Sequence, residues 1–133
     1  MQIALIIAIS LHVLAGVFWA GSSFALAHTG VSGAGRLFRP QMAAAVLAVL
    51  TGGYLWHALH EGGMGRMEYV LALGAVCAII AAGVQGALGA GAVRTLARSP
   101  DDAAARSRLA LAQHVAGGLL AVTVICMASA RYF

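Results

Sequence analysis

Lysine is absent, and charge of either sign is scarce: all eight basic residues are arginines, and 9% of the 133 residues are charged. Soluble domains carry about 25% charged residues. A chain that is 62% apolar, with a mean hydropathy of +0.92, cannot cover a water-facing surface. The arginines lie in short connections between apolar runs, so the net charge of +4 forms no contiguous basic stripe. That excludes a nucleic-acid partner. The four acids, Glu61, Glu68, Asp101 and Asp102, lie in or beside connections. No paired carboxylates within apolar runs suggest a proton pump. No Ser-His-Asp set, glycine-rich phosphate loop or Cys-x-x-Cys is present. The two cysteines, Cys77 and Cys126, sit deep in apolar runs and read as small hydrophobes.

What remains is four long apolar runs. They read as transmembrane helices over residues 3–27, 41–59, 69–93 and 107–130. At ~1.5 Å per residue each covers the ~30 Å hydrocarbon layer. The fold expected is an all-α integral membrane four-helix bundle in a single domain. The first run lacks a basic leader, since Met1-Gln2-Ile3 passes straight into hydrophobics. It reads as a retained helix rather than a signal peptide. Gly30, Gly33 and Gly35 punctuate the first connection, and Pro40 suits the first turn of the second helix. Ser99-Pro100-Asp101-Asp102 reads as a helix start, with Ser99 as N-cap.

Arginine placement orients the bundle. The first and third connections hold Arg36, Arg39, Arg94, Arg98, Arg106 and Arg108; the second connection and C-terminus hold only Arg66 and Arg131. The positive-inside rule makes the first and third connections cytoplasmic and puts both termini outside, in the periplasm. The location expected is a bacterial inner membrane. The third helix is rich in small residues: Gly74, Ala78, Ala82, Gly83, Gly86, Ala87, Ala90 and Gly91. In lipid such residues let backbones approach closely, inside the bundle or along a homodimer seam.

Five histidines are the informative feature, because ionisable groups within spans tend to be functional. His12 lies ten residues inside the first span and needs a hydrogen-bond partner or a metal there. His114 lies in the fourth span before Gly117 and Gly118, which leave room for a flat cofactor or a neighbouring helix. His57 and His60 share a helix face, and Met64 and Met67 follow; imidazole and thioether together suit copper, Cu(I) above all. His28 falls near headgroup level. A haem needs axial ligands at similar depth on facing helices. His12 is reached by His57 or His114 with offsets of ~8–12 Å. A second arrangement pairs His12 with His57 and His28 with His114, making a two-haem path across the membrane. Gln85 is the one buried amide of the third span and reads as an interhelical hydrogen bond.

The first span contains His12-Val13-Leu14-Ala15-Gly16-Val17-Phe18-Trp19-Ala20-Gly21. This His-x6-Trp-x-Gly pattern resembles the first helix of the copper-resistance D (CopD) membrane domain. It also resembles the HemJ-type protoporphyrinogen oxidases, small membrane proteins that bind haem b. The resemblance implies that His12 is the family histidine and Trp19 the family aromatic, a ring that lines a porphyrin pocket. HemJ-like proteins are also expected to use a lysine near the start of the third helix. Here Met67-Glu68-Tyr69 stands there and the chain has no lysine, which argues against protoporphyrinogen oxidase activity.

Taken together, these readings lead to a membrane b-type haem protein with a redox or electron-transfer role. His12 is then one axial ligand, the remaining candidates being His114, His57 and His28, and the partner is a membrane or periplasmic redox protein. The alternative is a copper-binding or copper-transporting protein in which His57, His60, Met64 and Met67 capture the ion and His12 and His114 lie deeper. A third is a structural subunit or assembly factor whose histidines only satisfy hydrogen bonds.

Overall fold

The structure, a computed structural model, describes all 133 residues and is entirely helical. Helix α1 runs Gln2–His28 and α2 Ala34–Leu59. A third long helix comprises α3 (Arg66–Val84), a π-helical turn (Gln85–Gly89) and α4 (Ala90–Arg98), without interruption. Helix α5 covers Ala103–Ser129 and ends in a 3₁₀ turn at Ala130–Tyr132. Four helices are therefore long and apolar enough to cross a membrane. Chain neighbours α1 and α2 pack as one antiparallel pair and α3 and α5 as another, and α1 against α5 joins the two.

The packing is the inverse of a soluble bundle. Alanine dominates the interior: Ala15, Ala45, Ala48, Ala81 and Ala116 surround Trp19 and Leu120 in the central cluster. The bulky residues, among them Ile3, Leu14, Val17, Leu50, Ile79 and Ile125, point outward. Lipid tails satisfy a leucine as well as a protein core does, so large side chains gain nothing by turning inward. Close backbone approach between small ones supplies the cohesion instead. Helix α3 shows this at Gly74, where Thr123 Oγ1 donates to the Gly74 carbonyl at 2.9 Å. A Cβ added there would stand 3.0 Å from Cys126 Cβ. Of the small residues on the third helix, Gly74 and Ala81 are buried inside the bundle, while a Cβ added at Gly83 or Gly91 would meet nothing within 4 Å.

Two helix starts differ from the sequence reading. Helix α1 closes in a Schellman turn: Val31 N–H donates to the Leu26 carbonyl, Gly30 takes a φ of 65°, and Leu26 packs with Val31. Gly33, at φ 80°, then caps α2 directly, and its carbonyl accepts from Arg36 and Leu37. The helix thus begins before its arginines, and Pro40 lies in its second turn, not its first. At the other correction, Ser99 ends α4 rather than starting α5. Its N–H donates to the Thr95 carbonyl, and its own carbonyl accepts from Asp102 N–H across Pro100-Asp101. That turn carries the chain to Asp102, which is the real N-cap, its Oδ1 accepting from Ala105 N–H at 2.9 Å.

The Gly74 contact gives a stability test. Replacing Gly74 with Val drives a branched side chain into a rigid neighbour and is expected to cost about 1–3 kcal/mol. Gly83→Val, at an open position, is expected to leave the thermal unfolding midpoint in detergent unchanged. Equal midpoints for both variants would remove Gly74 as a packing determinant.

Candidate functional site

Four helices contribute to a chain of side-chain hydrogen bonds at the centre of the bundle. Gln41 on α2, Gln85 at the π turn, Gln113 on α5 and Ser23 on α1 are each 0% exposed. The Trp19 indole N–H donates to Gln85 Oε1 at 2.6 Å. Gln85 Nε2 donates to Ser23 Oγ at 2.9 Å and to Gln113 Oε1 at 3.1 Å. Gln41 and Gln113 exchange amide bonds at 3.1 and 3.0 Å, and Gln41 Nε2 also reaches Ser22 and Ser23. Ser23 completes the circuit by donating to the Trp19 carbonyl. No buried side-chain nitrogen or oxygen anywhere lacks a partner. The π turn belongs to this arrangement: it begins at Gln85 and ends at Gly89, where a Cβ would stand 2.8 Å from the Phe38 ring. Such turns insert one extra residue and shift the phase of the helix beyond them. Trp19 is therefore a core residue, 2% exposed and held by an amide. Gln85 forms the interhelical bonds expected of it. Gln41, Ser22 and Ser23 carried no sequence signal, because their roles depend on contacts with three other helices.

His12 is partly buried against α2. Its Nδ1 lies 2.9 Å from the Ala48 carbonyl and 3.1 Å from Thr51 Oγ1. A carbonyl only accepts, so Nδ1 carries the proton and Nε2 the lone pair. Gly52 permits this contact, since a Cβ there would stand 3.0 Å from His12 Cε1. The His12 hydrogen bonds thus run to α2 near Gly52.

The histidines brought together are His28 and His114, the inner pair of the second arrangement. Their ring centres are 6.3 Å apart with planes at 37°. Each ring is fixed by its own helix: His28 Nδ1 donates to the Phe24 carbonyl and His114 Nδ1 to the Ala110 carbonyl, both at 2.8 Å. Both therefore keep the lone pair on Nε2. The pair sits on the outer surface of the α1–α5 seam, at the end of the bundle that carries the arginine-bearing connections. Beside it, a Cβ added at Gly117 would stand 4.0 Å from the Phe24 ring, and one added at Gly118 would meet nothing within 4 Å.

At the opposite end, His57 is exposed in the last turn of α2. His60 caps that helix, stacks on Trp56 with ring centres 4.9 Å apart, and turns Nδ1 toward the Trp56 carbonyl at 3.3 Å. Met64 is exposed in the following connection and Met67 half-buried in the first turn of α3. Nowhere do three His, Cys, Asp or Glu side chains converge in a metal-binding group. Comparison with protein-family models, curated proteins and solved structures gives no match for this chain.

The amide circuit has a diagnostic energetics. Gln113→Leu leaves the Gln41 and Gln85 amides short of partners, and each unsatisfied buried group costs about 1–3 kcal/mol. Replacing Gln41, Gln85 and Gln113 by Leu together leaves fewer orphans, so the triple variant is expected to be more stable than the sum of the single losses. Additive losses in denaturation of the detergent-solubilised protein would contradict a coupled network.

Proposed function

We infer that this chain is a multi-pass membrane protein that holds haem b at the α1–α5 seam through His28 and His114, and that it exchanges electrons with a redox partner. The observation that carries this reading is the pair of imidazoles 6.3 Å apart, each with Nδ1 tied to a backbone carbonyl. The His28 and His114 Nε2 atoms would hold the iron, and their ring separation leaves room for two metal–nitrogen bonds of ~2 Å. The anchoring carbonyls fix ring orientation and leave the unprotonated nitrogen for iron, as partners of ligating histidines generally do. Open space at Gly118 favours a flat group. The arginines concentrated at that end supply the positive charge that two porphyrin carboxylates call for.

Haem bound there would supply one-electron chemistry; the chain's part is to set ligand identity, orientation and burial. The first-helix resemblance to the HemJ-type proteins favours haem as the cofactor, although the residues that carry it, His12 and Trp19, are not the ligands in this reading. This reading takes His28 and His114 as the ligands in place of His12, whose ring bonds turn to α2. The orientation that goes with this reading puts the arginine-rich end in the cytoplasm and both termini in the periplasm, across a bacterial inner membrane.

The test is the absorption spectrum of protein purified in detergent after expression with a haem precursor. A Soret band with sharp reduced α and β bands is expected. Loss of a partner to a ligating histidine alone weakens metal affinity about 10–100-fold. His28→Ala and His114→Ala are therefore each expected to lose haem at least to that extent, while His12→Ala retains it. Unchanged spectra in correctly inserted His28→Ala and His114→Ala proteins would overturn the assignment.

A further inference from the structure

At the arginine-bearing end, the α1–α2 turn, the end of α4 and the start of α5 enclose an open cavity of about 600 Å³. Its walls include residues 30–35 of that turn, Val93 and Leu96 of α4, Pro100, and Arg106 and Leu109 of α5. No acidic residue lines it. The Arg106 guanidinium gives one N–H to the Pro100 carbonyl at 2.8 Å and none to any other group. A guanidinium carries five such donors. This side chain therefore lines the cavity with its charge unpaired and most of its donors free.

The opposite wall adds to the donors. The N–H groups of Gly33 and Gly35 donate to no backbone carbonyl. The nearest acids in the chain, Asp101 and Asp102, do not line the cavity, and Asp102 already accepts from Ala105 N–H. Five further arginines, Arg36, Arg39, Arg94, Arg98 and Arg108, belong to the same connections and add positive potential. Val93, Leu96 and Leu109 are of the other kind, members of the apolar cluster around Leu26 and Val31. The cavity is thus cationic and rich in donors on one side and apolar on another, at the end of the spans.

We propose that this cavity holds one anionic phospholipid, its phosphate oxygens accepting from Arg106 and from the Gly33 and Gly35 N–H groups. The occupant must be anionic, because the guanidinium has no counter-charge of its own. A phosphate offers several acceptor oxygens in the geometry that a guanidinium pairs best. The occupant must also be amphipathic. A free phosphate leaves Val93 and Leu96 against water, whereas the glycerol and first methylenes of a lipid cover them. Basic pockets between helices at a membrane boundary recognise acidic headgroups on the same grounds. Neither His28 nor His114 lines the cavity, so the site does not depend on haem.

The experiment is native mass spectrometry of the full chain in detergent, with phosphatidylglycerol or phosphatidylcholine added in equal amounts. Wild-type protein and His28→Ala are expected to retain one phosphatidylglycerol in preference to phosphatidylcholine. Arg106→Gln is expected to weaken that retention at least about tenfold, the scale of one charge-assisted hydrogen bond. Arg98→Gln makes the same change of charge at the same end but outside the cavity, and should keep the lipid. Circular dichroism checks that both variants stay folded, and the comparison of lipids on unaltered protein needs no variant. Equal retention of the two lipids, or equal loss in the two arginine variants, overturns the proposal and leaves a general attraction of arginine for anionic surfaces. Displacement of the lipid by excess glycerol 3-phosphate also overturns it, marking a site for a soluble phosphate ester. Loss of haem in His28→Ala with the lipid retained bears only on the electron-transfer reading.

Discussion

An amide taken out of water must find another hydrogen-bonding group, and this requirement organises the whole bundle. Packing alanine against alanine has little directional preference, since one small residue slides past another at slight cost. Gln41, Gln85 and Gln113 remove that freedom. Their bonds close only in one register of α1, α2, α5 and the third helix. Polar groups that bridge helices in a membrane contribute modestly to stability, about 1 kcal/mol each. Their larger effect is on uniqueness: a shifted helix strands several donors and acceptors together.

That register also explains how the histidines come to sit where they do. Ser23 is fixed to Gln41 and Gln85, and Gln113 to the same two amides. His28 lies five residues beyond Ser23 on α1, and His114 follows Gln113 on α5. The network thus positions the two helices against each other just inside the point where the imidazoles meet on the outer surface. Farther along the α1–α2 interface, Ala48 and Gly52 do the equivalent work for His12, one through a carbonyl and the other through the lack of a side chain.

Much of the fold was legible because helices of this length and apolarity leave few alternatives. The turns were less so. Arg36, Arg39 and Pro40 resemble a connection by composition, but the left-handed residues at Gly30, Val31 and Gly33 complete the reversal before them. Ser99-Pro100 has the composition of a helix start, and the turn it makes passes the capping role to Asp102. Of the candidate site, the histidines themselves and the Gln85 bond were readable. The ring partners of His12 were not, since a helix carbonyl is the same at every position and sequence does not say which one is left open. Gln41 and the serines were overlooked for a related reason: a polar residue near a span's end looks like an interface group until three other helices close over it.

The π turn has a consequence for which faces of the third span are buried. An added residue at Gln85–Gly89 means that the portion before it and the portion after it are not in angular phase. The half facing α5 near Gly74 and the half facing Phe38 and Leu109 therefore turn different sides to the bundle. Gln85, bonded to Trp19, Ser23 and Gln113, locks that change of phase, so the spacing that marks a buried face on one half does not carry over to the other.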